Sequence, residues 1–386
     1  MKEIVISGIG QTAAGEQWEI SLRDLAYQAI KQALDDSGGL KPQALFVGNM
    51  LSLNLSNQAH LGGLLADYAG LTGIEAVTLE AAGASGGAAL RQGYLAIASG
   101  LVDTALVVGV EKFTDKIGTD VEAALASGMD SDYEAMQGLT PVAQAAFLMQ
   151  RYIYEYKVPA DGFAGFALTA HANGAGNKFA MYQKAIKPET YARAEKVCDP
   201  LNLFDAAPLA DGAAALILTR RDLIPQKYSH PLISIAGMGS STDTLALHDR
   251  QDLLSFQAAK IATTQALKRA GISPEQIDLF EYHDAFSIYA ALSLEAAGFA
   301  KRGLGWQLAA DGSIGLKGKI PCATMGGLKA RGFTGGASGI YQAIEAALQL
   351  RGSAGRNQVE NPQHALIQSL GGPASTAVSF VLKKTS

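Results

Sequence analysis

The residues from Glu80 to Tyr94, read as EAAGASGGAALRQGY, put a run of small side chains directly ahead of an apolar-periodic stretch. Small residues let a backbone turn sharply and approach a ligand, and the unpaired N–H groups of the helix that follows attract negative charge. A cysteine at such an elbow would be held as a reactive thiolate. The chain instead has Gly83 there, with Ser85 as the nearby hydroxyl. Taken alone, the stretch reads as well for a helix start packed against a neighbour as for a reactive turn. Tyr282, Tyr289 and Tyr341 could reach a pocket, although their helical spacing reads first as packing, and Cys198 and Cys322 read as small apolar fillers, with Cys322 the better placed of the two for chemistry.

These groups need elements to hold them. Ile4–Ile6 reads as a first strand, and Leu22, Leu25, Ala26, Ala29, Ile30, Ala33 and Leu34 follow a Ser21 cap at helical spacing. Strands at 44–48, 77–79 and 104–110 alternate with helices around 59–69 and up to Ser99, a pattern that predicts a largely parallel sheet covered by helices. Between residues 113 and 210 strand signals fade and helices at 140–156 and 163–172 dominate, which predicts an inserted, mostly helical subdomain.

From Leu232 the chain begins again. Ala33-Leu34, Gly38–Pro42 and Ala44–Phe46 are echoed by Ala266-Leu267, Gly271–Pro274 and Asp278–Phe280. The elbow recurs as Gly336-Ala337-Ser338-Gly339-Ile340, again ahead of a helical stretch. The expected organisation is a first half of residues 1–112 with 211–228, an insertion of 113–210, and a second half of 232–386. The two elbow helices should pack together, with both elbows facing one pocket beneath the insertion, because ligands in such sheets bind at strand ends and helix N-termini.

Composition narrows the function. The chain has 386 residues, 48% hydrophobic and 17% charged, with net charge −5. Its basic residues are dispersed, which argues against a duplex nucleic-acid partner, although Lys329 and Arg331 are local basic spots able to meet a small anion. No apolar run reaches the roughly 18 residues of a membrane span, and Met1-Lys2-Glu3 leads straight into Ile4–Ile6 without a secretory leader pattern. A cytoplasmic protein without a membrane partner is expected. With two distant cysteines and no H-x-x-x-H among six histidines, no metal site is expected.

Taken together, EAAGASGGAAL at 80–90, Gly109–Lys112, Asp211–Ala215, His283–Ser287, Gly326–Gly332 and Gly335–Gly339 resemble the thiolase superfamily, in particular its sterol-carrier-type members, over essentially the whole chain. The resemblance implies a five-layered α/β/α/β/α fold from two duplicated halves, a dimer, and a CoA ester entering beneath the inserted loop domain. It also implies losses. Gly83 stands where a working thiolase carries its acyl-accepting cysteine, and Phe333 where a histidine activates it. Ala285 and Ser369 stand in the two places where a second cysteine occurs.

Of the family's motif, the resemblance leaves His283 in His283-Asp284-Ala285-Phe286 as the expected catalytic acid–base residue, since an unperturbed imidazole titrates at roughly pH 6.5, while Ser85, Gly327, Lys329 and Gly372 are expected to contact the substrate and its CoA. CoA enters as part of the substrate, with no covalently bound cofactor. Two functions follow from the resemblance. One is cysteine-independent carbon–carbon bond cleavage or formation on a CoA thioester, as in the retro-aldolases of steroid side-chain degradation. Those relatives place tyrosines where this chain has His283 and Phe333. The other is a catalytically silent subunit supporting an active thiolase-like paralogue or a small zinc-ribbon/OB-fold protein. Either implies a homodimer or a heteromer.

Overall fold

The helix Leu22–Asp36 starts where its sequence says it should: the Ser21 hydroxyl accepts the Asp24 backbone N–H at 3.3 Å, satisfying one of the donors a helix start leaves open. Its apolar stripe of Leu22, Leu25, Ala26, Ala29, Ile30 and Ala33 is buried against the sheet. The helix Pro141–Tyr156 begins in the same manner, with Thr140 accepting the Ala143 N–H at 3.2 Å and proline in the first turn, where a missing N–H costs nothing. The computed structural model describes residues 3–385.

The strands are β1 (Ile4–Gln11), β2 (Ala44–Gly48), β3 (Glu75–Leu79), β4 (Thr104–Glu111), the short hairpin β5 (Lys196–Cys198) and β6 (Leu201–Asn202), β7 (Gly212–Arg220), β8 (Leu232–Thr242), β9 (Leu279–Glu281), β10 (His364–Gly371) and β11 (Thr376–Thr385). Apart from the hairpin they form one sheet in the order β3-β2-β4-β7-β1-β8-β11-β10-β9. Its centre is a narrow seam, Val5 opposite Ser234 and Ile6 opposite Ile233. Outward from that seam both halves repeat one order, β1-β7-β4-β2-β3 and β8-β11-β10-β9, and Cys322 bridges in parallel beside Phe280 where a fifth strand of the second half would lie.

The sheet is mixed, which corrects the expectation of a largely parallel one. β2 lies parallel to β3 and β4, and β9 to β10, but β7 and β11 run antiparallel to both their neighbours. Between β10 and β11 only residues 372–375 intervene, too few for the crossover a parallel pair requires.

Five layers result. Helices Leu22–Asp36 and Leu61–Tyr68 cover the outer face of the first half-sheet. The elbow helices Ser85–Ser99 and Ser338–Arg351 fill the middle, packed among Phe46, Leu216, Phe380 and Leu382 from both half-sheets. On the far side, helices Gln257–Ala270 and Ser287–Ala296 pack on the second half-sheet together with the insertion helices Pro141–Tyr156 and Ala164–Gly174. The elbow helices cross at backbone contact: a Cβ on Gly86 would lie 2.6 Å from the Gly336 carbonyl oxygen, and one on Gly339 would lie 2.6 Å from the Gly87 nitrogen. Only glycine permits that approach.

Candidate active site

The first elbow is braced from within. The Ser85 hydroxyl donates to the Ala82 carbonyl at 2.6 Å and accepts the Ala81 N–H at 2.9 Å, which pins the turn while Ala82 takes a left-handed φ of 48°. Ser85 is fully buried and both its hydrogen-bonding directions are occupied, so the expectation that it contacts substrate is corrected: it shapes the elbow.

Beyond the turn lies a cavity of about 210 Å³. Ala82 and Gly83 form its floor, and the insertion supplies Leu125, Met129, Val142, Gln144 and Leu209, with exposed Glu122 among the lining residues. From the second half come His283, Ala285, Phe286, Tyr289, Phe333, Leu370 and Gly372. No thiol is among these residues. At the centre, His283 takes the space a side chain at position 83 would need. A Cβ built there would lie 3.0 Å from His283 Cε1, 3.4 Å from Nε2 and 2.7 Å from the Leu370 carbonyl oxygen. Phe333 stacks edge-on against His283 at 5.7 Å and lies tilted against Phe113 at 6.2 Å. Its backbone is fixed by Pro208 and Ala210 at the end of the insertion.

His283 is buried, and its Nδ1 has no hydrogen-bond partner. Burial, reinforced by the positive charge of Arg331, pulls its pKa down to about 3. The expectation of an imidazole titrating near neutrality is therefore corrected, because charging this ring would place a second cation in a dry pocket beside Arg331. At neutral pH it is an uncharged ring with one N–H to give. The backbone N–H groups of Gly83 and Gly372 donate to no acceptor among the described residues. The cavity thus has donors and apolar walls but no nucleophilic sulfur.

The remaining expected contacts lie elsewhere. Gly327, at φ 54°, packs on the Asp284 carboxylate, which also accepts the Leu328 N–H at 2.7 Å. Lys329 is buried and donates to the Asp205 carbonyl at 2.6 Å, with burial lowering its pKa to about 8. Arg331 is sealed against Glu345 at 2.7 Å. None of the three borders the cavity, so none meets an anionic substrate there. Their glycine-rich, basic run holds the core together instead. Ser369 points into the core and donates to Gln342 at 3.0 Å, while its neighbour Leu370 faces the cavity. Cys322 is sealed, its thiol 3.2 Å from the Ile320 carbonyl and its pKa pushed well up by burial.

Of the three tyrosines that could reach the pocket but read first as packing, Tyr289 lines it. Two lining residues escape the sequence reading, and nothing local marks Glu122. Gln144 carries a usable signal: it interrupts the otherwise apolar buried stripe of its helix, with Leu148 and Tyr152 at the following positions. A buried amide on such a stripe needs a partner or a ligand.

Comparison with known proteins settles the family. Residues 4–222 match the model for the thiolase N-terminal domain, and residues 239–384 match the one described as thiolase C-terminal domain-like. The chain belongs to the thiolase family. An acetyl-CoA acetyltransferase of Methanothermobacter thermautotrophicus is 38% identical to this thiolase-family chain over the whole length of both. A 17-hydroxy-3-oxo-4-pregnene-20-carboxyl-CoA lyase of Mycobacterium tuberculosis is 27% identical, with 95% of each chain covered. Among solved structures, the Ltp2-ChsH2(DUF35) aldolase superposes with a TM-score of 0.83 at 22% identity, covering 99% of this chain and 98% of that one. This last likeness establishes the thiolase fold.

Proposed function

We propose that this thiolase-family protein makes or breaks a carbon–carbon bond beside a CoA thioester by a retro-aldol route, without an acyl-enzyme. The observation that carries the reading is the filled position at Gly83: where the family's nucleophile would stand, the cavity presents the edge of a neutral imidazole. Cleaving a β-hydroxyacyl-CoA needs the thioester enolate stabilised, and a preorganised donor aimed at that oxygen is worth about 3 kcal/mol. His283 supplies one donor, and the N–H groups of Gly83 and Gly372 are the others at hand. In this reading the acid–base role expected of His283 becomes donation of a hydrogen bond by a ring that stays neutral. The apolar walls from Leu125, Met129, Phe286 and Phe333 suit an apolar or aromatic acyl portion.

The lyase named above supports the reading, whereas the acetyltransferase relative does not tell against it once position 83 is glycine. The two-part name of the solved aldolase supports a partner protein for this chain as well. We propose a dimer joined by the small zinc-ribbon/OB-fold type of partner that the sequence resemblance implies, in the cytoplasm. No helix of the described residues is long and apolar enough to cross a membrane.

The test offers β-hydroxyacyl-CoA esters with apolar branches to the protein together with any partner it retains on purification. Release of a carbonyl product and a shortened acyl-CoA, with the protein mass unchanged, is expected. A stable acyl adduct, or thiolysis of a 3-ketoacyl-CoA by free CoA, would overturn the reading. Binding of the ester with no turnover would make the chain a silent subunit.

A further inference from the structure

The polar side chains that line the cavity are Glu122, Gln144, His283 and Tyr289. Glu122 is exposed, while the other three are each at least 97% buried, with relative exposures of 1%, 3% and 3% for Gln144, His283 and Tyr289. Among the buried three, Tyr289 has the hydroxyl, a group that donates and accepts through one atom. A buried phenol ordinarily finds a hydrogen-bond partner. That of Tyr289 has none among the described residues, yet its oxygen is not among the atoms sealed from solvent. The ring is held on two sides, edge-on to Phe256 at 5.4 Å and to Phe286 at 5.1 Å. A rigid ring with a free hydroxyl at a cavity wall is positioned for a ligand rather than for packing.

We propose that Tyr289 is the catalytic proton relay of the carbon–carbon cleavage, passing the proton of the substrate β-hydroxyl to the α-carbon of the departing acyl-CoA. The step balances without a co-reactant. The C–C bond pair moves onto the α-carbon as thioester enolate, and the phenol gives its own proton to that carbon. As that proton leaves, the substrate hydroxyl O–H bond breaks and its proton takes the vacated place on the phenol oxygen. A carbonyl compound and a shortened acyl-CoA leave, and the phenol is as it began.

The surroundings agree with this assignment. Burial holds the phenol protonated, with Arg250 opposing that shift and Glu134 adding to it. Arg250 is itself buried, tied to the carbonyls of Thr244 at 3.0 Å and Pro373 at 2.6 Å, with its Nη2 unpartnered. Negative charge developing on the phenol oxygen during the relay would therefore meet a cation whose acidic neighbours, Asp243 and Glu134, act on it without a close ion pair among the described residues.

This inference rests on the retro-aldol reading, and its test separates the two. Tyr289→Phe keeps the ring and its contacts and removes the hydroxyl, so its melting temperature should stay near that of the native chain. Its kcat for β-hydroxyacyl-CoA cleavage should fall about a hundredfold to ten-thousandfold, with KM and the Kd for a non-cleavable acyl-CoA nearly unchanged. A variant that cleaves at the native rate would overturn the relay and leave the retro-aldol reading standing. A native protein that binds the esters and cleaves none would remove the reading itself, and the relay with it.

Discussion

At the first elbow, Gly83 borders an open cavity and faces His283 across it. At the second, Gly335 and Gly336 are pressed against Glu111, Asn49 and Met50. The chemical difference is what meets the N–H groups. The Gly336 N–H donates to the Glu111 carboxylate at 2.9 Å, and that carboxylate also accepts from Met50 N at 3.0 Å, Leu51 N at 3.1 Å and Asn49 Nδ2 at 2.9 Å. The protein's own carboxyl group sits at the second elbow where a ligand's oxygen can sit at the first. This corrects the expectation that both elbows face one pocket: duplication copied a turn suited to anions, and Glu111 then turned one copy into a clasp between the halves.

The helices that follow diverge in the same sense. That of the second elbow is buried along almost its full length and carries Glu345 to Arg331. That of the first keeps a partly exposed face around Tyr94 and Leu95. Damage on the sealed side should therefore appear as lost stability, and damage on the cavity side as lost chemistry. The largest effect expected is that of Arg331→Met, which strands Glu345 in the core without its cation, beside the buried carboxyl groups of Glu281 and Asp284. Removing one partner of a buried pair costs about 3–5 kcal/mol, so denaturant unfolding should show a loss of that size. A loss under about 1 kcal/mol would mean that Glu345 is already protonated, in keeping with the rise of its pKa to about 7 by burial.

On the cavity side, His283→Ala should leave the melting temperature within a few degrees of native, because no hydrogen bond to another described residue is lost. Its kcat should fall about 10²–10³-fold, the usual cost of one oxyanion donor. Equal activity in variant and native protein would take His283 out of the mechanism.

The same residue gives a smaller, pH-dependent effect of defined sign. In the unfolded chain His283 gains a proton as pH falls through roughly 6.5, while in the folded protein it stays neutral to about 3. The unfolded state thus binds more protons in that window, and stability falls with falling pH by about 1.4 kcal/mol per unit, or about 2 kcal/mol by pH 5. Glu111, Glu281 and Glu345, raised by burial to about 7, 8 and 7, contribute with the opposite sign as pH falls from 8 toward 4.5. Native protein minus His283→Ala, measured at pH 7 and pH 5, isolates the imidazole. No change in that difference would show that the ring is not held neutral.

Repetition made the architecture legible in sequence, because a doubled run of elbow, helix and strand folds most simply as two copies of one unit. Direction was harder to read. Ser85 beside a glycine turn looks alike whether its hydroxyl braces the turn or faces a ligand, and Lys329 looks like an anion contact until Asp205 is folded beside it. The roles of Gln144 and Glu122 depend on how the insertion closes over the elbow, a tertiary fact with little local signature. Tyr289, in the first turn after Phe286, is indistinguishable from packing until its hydroxyl proves to lack a partner.

The smallest effect is expected from the change that looks most dramatic on paper. Gly83→Cys with Phe333→His restores the residue types of a working thiolase, yet the space has closed. The new Cβ would stand 2.7 Å from the Leu370 carbonyl and 3.0 Å from the His283 ring, and contacts of that kind force backbone shifts. The thiol would also enter a pocket whose largely apolar lining raises its pKa, with Arg331 set back behind His283 and outside the lining. Incubation of this double variant with acetyl-CoA or acetoacetyl-CoA should leave its intact mass unchanged, as for the native chain. An acetyl group mapped to position 83 would show that the elbow still opens far enough for covalent catalysis, and that the contrast between the two elbows lies in their side chains more than in their backbones.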